Sequence, residues 1–186
     1  MARSSNLVVS TATALLLLLS TYSCRAATSS SKNPTAVVLP VRKDGATLQY
    51  LTGFRQRTPQ TPVTAVLDLG GATLWVDCDP GSYASSSYAH VPCASKPCRL
   101  ARTGTAACAT SCVGAPSPGC LNDTCSGFPE NTVTRVATGG NLITDVLSVP
   151  TTFRPMPGPL ATAPAFLFAC GAKFLTEGVF STMHCI

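Results

Sequence analysis

The chain has 186 residues, the usual size of one domain. Charged residues are only 11% and hydrophobic ones 45%, which argues against a highly charged disordered tail and a charge-laced coiled coil. The formal net charge is +5, but no Lys/Arg run or basic helix gives a footing for nucleic acid.

The amino terminus reads as a targeting segment. Arg3 supplies a positive start. Leu7 to Leu19 is an apolar run broken by Ser10, Thr11 and Thr13. Small residues then lead to Cys24-Arg25-Ala26-Ala27. This is the three-part layout of a secretory signal peptide, residues 1–26, with cleavage near Ala26. A membrane-spanning helix needs about 20 apolar residues, more than this run offers. No other segment is long or apolar enough to cross, so no membrane association is expected after cleavage. Losing Arg3 and Arg25 lowers the net charge to +3, since 11 basic residues then face 8 acidic ones.

Residues 27–34 are Ser-rich and form a flexible mature start. Val37 to Val41 is a strand candidate, Lys43-Asp44-Gly45-Ala46 carries a hairpin signal, and Leu48 to Phe54 is the return strand. Thr58 to Pro62 marks a turn. Val63 to Leu67 reads as a buried strand running directly into Asp68-Leu69-Gly70-Gly71. Thr73 to Val76 is a second short strand, ending at Asp77-Cys78. Residues 80–130 show little periodicity. Asn131 to Val136 and Leu142 to Val149 are predicted as two further strands. Pro150 to Pro159 reads as a proline-rich turn, and Pro164 to Gly171 as a last strand. No long helical period appears after the leader.

Ten cysteines are present, and Cys24 leaves with the leader. In an exported chain the remaining ones read as disulfides. A zinc site is the weaker reading. There is no C-x-x-C, and only His90 and His184 are present, so no metal or other cofactor is expected. Seven of the nine mature cysteines lie between positions 78 and 125. A dense knot there offsets a poor local core. Nine is odd, which makes Cys185 the spare thiol. Asn122-Asp123-Thr124 is a sequon, so Asn122 is a candidate glycan acceptor.

Asp68 directly follows a buried strand and precedes two glycines. Alone, that is a turn aspartate bonding its own backbone. The wider segment Val66-Leu67-Asp68-Leu69-Gly70-Gly71-Ala72-Thr73-Leu74-Trp75-Val76-Asp77-Cys78 resembles the D-T-G-S-x-x-L-W-V active-site segment of pepsin-like aspartic peptidases. Phe166-Leu167-Phe168-Ala169-Cys170-Gly171 resembles that family's F-x-F-G-C-G strand. Thr144-Asp145-Val146-Leu147-Ser148-Val149 resembles its T-D-x-L-T-V strand. Leu39-Pro40-Val41-Arg42-Lys43-Asp44 looks like the start of the plant xylanase-inhibitor and basic 7S globulin branch.

The resemblance implies an all-β, disulfide-rich, pepsin-like amino-terminal barrel lobe over residues 35–180, with an atypical, truncated-looking tail at 181–186. It also implies eight bridged cysteines: Cys78, Cys93, Cys98, Cys108, Cys112, Cys120, Cys125 and Cys170. Cys78 would pair with Cys170 and the other six locally, although eight cysteines allow 105 connectivities.

The family's chemistry needs two carboxylates sharing one proton over a water molecule. No other aspartate here is followed by Thr-Gly or Ser-Gly. Leu69 lacks the hydroxyl that supports the family's aspartate. The flap tyrosine would fall near Thr132-Val133-Thr134, and no tyrosine follows Tyr88. Asp68 is therefore expected to hold the family position without activity.

The resemblance implies a secreted, non-catalytic protein of the plant apoplast or cell wall. Its expected partner is a microbial xylanase or another glycosidase, although in the inhibitor relatives the contacts come largely from a second lobe. One alternative is an aspartic endopeptidase using Asp68 in a dimer, through two Asp68 residues, or in a two-lobed form. Another is an inactive truncated product, whose exposed lobe surface would favour association.

Overall fold

The computed structural model describes residues 36–71, 73–101, 107–153, 156–177 and 184–185. The expected leader, the mature start and most of the tail lie outside these residues, as does the side chain of Cys185.

The chain folds as strands, with one short helix and one 3-10 turn among the described residues. Strand β1 (Val41–Lys43) turns back into β2 (Tyr50–Gln56), which pairs antiparallel with β3 (Thr61–Val66). The β1–β2 turn is organised by Asp44, whose Oδ2 accepts the amides of Ala46 and Thr47 and the Thr47 hydroxyl. The Thr47 amide is the largest influence holding the Asp44 carboxyl below its ordinary value.

After β3 come β4 (Trp75–Asp77), β5 (Ala89–His90), helix α1 (Lys96–Ala101), β6 (Ala107–Ala109) and β7 (Thr124–Gly127). The expected irregularity of residues 80–130 thus resolves into short pieces pinned by bridges. Then follow β8 (Glu130–Asn131), β9 (Val136–Ala137), β10 (Gly140–Phe153), β11 (Met156–Gly171) and β12 (His184–Cys185).

Two strand expectations are corrected. Asn131 to Val136 is not one strand but a tight hairpin, β8–β9. The Asn131 side chain accepts the amides of Val133 and Thr134, and Arg135 takes a left-handed conformation (φ 60°). Side-chain capture of backbone amides competes with the ladder that a β-branched run otherwise favours. The proline-rich stretch 150–159 is mostly strand. Prolines 157, 159 and 164 sit in the outer part of β11, which pairs with β10 on one side and meets β4 only at residues 169–171. An edge strand tolerates the missing amide donors.

Strand β10 is the hub. It pairs with β11, β2, β5 and β7. Successive residues of a strand point to opposite faces, and here both faces are buried. Ile143, Phe168 and Val76 pack with Phe54, Val63 and Tyr83 on one side. Their neighbours Leu142, Ala169 and Trp75 pack with Val91, Cys98, Cys125 and Leu175 on the other. Each large side chain so buried contributes roughly 1.5–3 kcal/mol. This two-sided burial explains the apolar run at residues 167–171, whereas β3 alternates, with Val63 and Ala65 buried and Thr64 exposed.

The parallel pairing of β4 with β11 sets Val76 opposite Cys170. It thereby brings Cys78 within bridging distance of Cys170, Cα–Cα 5.2 Å. Cys98 on α1 bonds Cys125 on β7, and Cys112 bonds Cys120. Cys93 is half-buried. Among the described residues Cys108 lies exposed on β6 without a bridge, and its cross-strand neighbour Cys125 is bonded to Cys98.

Candidate functional site

Strand β3 delivers Asp68 to the end of the β2–β3 ladder. The Leu67 amide donates to the Tyr50 carbonyl at 2.8 Å, so the chain leaves the sheet only at Asp68. Gly70 and Gly71 fold back under the carboxylate. The Gly70 amide donates to Asp68 Oδ1 at 2.8 Å. A methyl group on either glycine would stand 3.4 Å from a carboxylate oxygen, in van der Waals contact with it. Leu69 points away and is 93% exposed.

The β8–β9 hairpin lies over this turn. The Thr132 hydroxyl donates to Asp68 Oδ2 at 2.5 Å. Both oxygens of the half-buried carboxylate therefore have internal donors. Neither donor is a carboxylic acid, so among the described residues these contacts do not form the proton-sharing pair of carboxyl groups that water activation needs.

The base of the hairpin is held by buried groups. The indole nitrogen of Trp75 donates to the Glu130 carbonyl at 3.0 Å. Asn131, 2% exposed, donates its amide to the Leu175 carbonyl at 2.8 Å.

The other aspartates lie elsewhere. Asp44 holds the β1–β2 turn. Asp77 Oδ1 accepts the Asp79 amide, and Asp79 Oδ2 accepts the Lys173 amide. Asp123 is exposed with φ 56°. Asp145 is wholly buried. It accepts the Tyr83 hydroxyl at 2.6 Å, the Ser87 hydroxyl at 2.6 Å and the Val146 amide at 2.7 Å. Gln56 donates to the Tyr83 oxygen at 3.0 Å, and the Arg57 guanidinium lies 4.2 Å from the centre of the Tyr83 ring. Burial first, then the hydrogen bond to Asp145, raise the Tyr83 pKa well above its ordinary value, so the phenol remains a donor.

Sequence reasoning passed over this cluster. The available signal was positional: Asp145 sits two residues after Ile143, on the core face of a buried strand, where a carboxylate must find donors.

Asn122 is exposed. Its Oδ1 accepts the Cys112 amide at 2.8 Å, while the Thr124 hydroxyl is turned in on the Leu121 carbonyl. His90 lies on β5 beside β10, and His184 on β12; they are not brought to Asp68 by any hydrogen bond among the described residues. Those residues contain no cluster of three or more His, Cys, Asp or Glu able to hold a metal ion, and no helix long and apolar enough to cross a membrane. A separate cleft of about 270 Å³ is walled by the Cys78–Cys170 and Cys112–Cys120 bridges and by Asp79.

The family model for the xylanase inhibitor N-terminal domain matches residues 50–186. A probable aspartic proteinase, GIP2, of Nicotiana benthamiana is 46% identical over 167 residues, covering 90% of this chain and 37% of the relative. Gamma conglutin 1 of Prunus dulcis is 35% identical, covering 88% and 38%. Basic 7S globulin of Glycine max is 38% identical, covering 76% and 33%. Among solved structures, edgp superposes with a TM-score of 0.76 at 44% identity, over 82% of this chain and 36% of that one. Conglutin gamma from lupine seeds gives 0.72 at 35% identity, over 82% and 39%. The chain thus spans less than two fifths of the length of these relatives. With its sheet, its bridges and its Asp68 turn, it belongs to the xylanase-inhibitor-like branch of the pepsin-like family and corresponds to the amino-terminal lobe of that fold.

Proposed function

We propose that the chain is a non-catalytic, secreted member of this branch that acts by binding, with a microbial glycosidase as its partner class. One observation carries the non-catalytic part. The Asp68 carboxylate is occupied by the Gly70 amide and the Thr132 hydroxyl, while the residue that should offer a supporting hydroxyl is Leu69, turned to solvent. The partner class rests on the match to the xylanase inhibitor N-terminal domain.

Two measurements test the proposal. The purified protein should leave a denatured protein substrate intact at acidic pH; cleavage that disappears in Asp68→Asn would overturn the non-catalytic reading. Calorimetric titration against a fungal xylanase should give saturable binding, and a flat titration at high excess would remove the glycosidase from the proposal.

A second reading keeps one supporting observation. Asp68 retains the family's position after β3, and a 46% identical relative is described as a probable aspartic proteinase. Peptidase activity would then require a second carboxyl group, from Asp68 of another copy or from a second lobe. Activity rising with the square of protein concentration would identify the dimer.

The exposed Asn122 amide suits a glycan, because linkage through Nδ2 leaves Oδ1 free to hold the Cys112 amide. Thr124 is only 4% exposed, so transfer would precede folding. Enzymatic deglycosylation of secreted material should lower its mass, and a mass already equal to the bare chain would refute the assignment.

A further inference from the structure

We infer that the ring closed by Cys112–Cys120 is a cover on the Cys78–Cys170 bridge, so that a thiol reductant opens the two bridges in a fixed order and opening the first speeds the second. The contact is direct. A methyl group on Gly119 would stand 3.5 Å from Cβ of Cys78 and 3.6 Å from Cβ of Cys170, so the Gly119 backbone rests on the bridge itself. Beneath it, Cys78 and Cys170 are each 2% exposed. The ring is the outer layer: residues 113–116 are exposed, and Cys112 and Cys120 are half-buried. Gly119 belongs to a tight turn in which the Ser117 and Cys120 amides each donate to the other residue's carbonyl at 3.0 Å. Two ties hold that turn down. One is the Cys112–Cys120 bond, with the Cys112 amide anchored on Asn122 Oδ1. The other is the Leu121 carbonyl, which accepts the Asn141 side-chain amide at 3.0 Å and the Thr124 hydroxyl at 2.7 Å. Breaking the disulfide leaves the turn fastened at one end only.

Access then sets the order. A thiolate must reach one sulfur of a disulfide to attack it. Cys112 and Cys120, in the outer ring, are within its reach, while Cys78 and Cys170 are covered. The cleft that both bridges wall is the remaining approach, and Asp79 lines it. The Asp79 carboxylate opposes an incoming anionic thiolate. The reductant is a small thiol. Its thiolate adds to one sulfur of Cys112–Cys120, forming a mixed disulfide and releasing the other cysteine as a thiolate. A second thiol group displaces the mixed disulfide. Two electrons have then passed to the protein, two cysteine thiols remain, and the reductant leaves as its own disulfide. The same exchange next takes Cys78–Cys170. That bridge joins residues 92 apart and the outer one residues only 8 apart, so the first step costs little stability and the second much. The pair is a two-stage redox release, in which mild reduction stops at the surface. This inference does not depend on the glycosidase reading.

Timed reduction of the native full chain with dithiothreitol, trapping with N-ethylmaleimide and peptide mass mapping test it. In wild type, Cys112 and Cys120 should label first, and Cys78 and Cys170 should follow after a lag. Replacing Cys112 and Cys120 together with alanine should remove the lag and speed the labelling of Cys78 and Cys170 by about tenfold or more, the scale of one lost local closure. Cys98–Cys125 is the internal reference: both cysteines are wholly buried and neither lines the cleft, so its rate should stay unchanged. Labelling of Cys78 and Cys170 before or together with Cys112 and Cys120 in wild type would overturn the cover without recourse to any variant. An unchanged Cys78–Cys170 rate in the double variant would overturn it as well. Equal acceleration of Cys98–Cys125 would show general loosening in place of one uncovered bridge, and would count against the cover in the same way.

Discussion

The Tyr83 phenol donates to the Asp145 carboxylate at 2.6 Å, joining the segment after β4 to the central strand across 62 positions of sequence. Asp145 has no exposed surface, so a donor removed from it is not replaced by water. Tyr83→Phe removes only the hydroxyl. It should cost about 1.5–3 kcal/mol, the range for a hydrogen bond to a charged group. The expected result is a lower urea midpoint at unchanged slope; an unaltered midpoint would show that the bond contributes nothing net.

The Cys78–Cys170 bridge closes a separation of 92 residues and fastens β4 to β11. Replacing both cysteines with alanine should destabilise the fold by about 2–5 kcal/mol, chiefly through the freed unfolded chain. Thermal melting of the double variant beside a Cys112/Cys120 double variant checks this. The second bridge spans only 8 residues and should matter less.

Gly140 lies against β11 so closely that a methyl group there would sit on the Cys170 carbonyl oxygen. That obstacle is backbone and cannot swing aside. Gly140→Ala should abolish the recovery of folded protein, or lower stability by more than about 4 kcal/mol. Gly45, with open space around it, is the matched control, and Gly45→Ala should melt within a degree or two of wild type.

His90 gives the fold a pH dependence. Its Nδ1 is buried without a hydrogen-bond partner among the described residues, and the Tyr88 ring stands edge-on at 5.6 Å. Burial lowers its pKa below the ordinary 6.5. As pH falls through 6.5 the unfolded chain takes up a proton before the folded one does. This contribution to stability is therefore complete above that pH and declines below it. Urea midpoints at about pH 7 and pH 5.5 should differ in wild type and differ less in His90→Gln. Identical pH responses in the two proteins would rule the histidine out.

Much of the architecture was legible because it is local. The apolar runs ending at Leu67 and at Gly171 declare strands that carry the core, and Asp68 with its glycines declares a turn. The hairpin at 131–136 was misread because Thr132, Val133 and Val136 favour a strand, while the deciding event is Asn131 capturing two amides. The tie from Thr132 to Asp68 spans 64 positions, and no spacing rule announces it. The prolines after Val149 mislead in the opposite sense. Their meaning depends on whether a neighbour strand lies alongside, which only the assembled sheet reveals.

Those prolines also bear on how one molecule would meet another. The outer stretch of β11 projects as a long rail with one side unclaimed among the described residues. Pro157, Pro159 and Pro164 leave three positions along it with no hydrogen to give. An approaching strand from a second copy would find a broken rather than a continuous row of donors. Prolines along the outer strand should therefore weaken its pairing with a second copy, so that crowding many copies together concentrates the protein without knitting it into a common sheet.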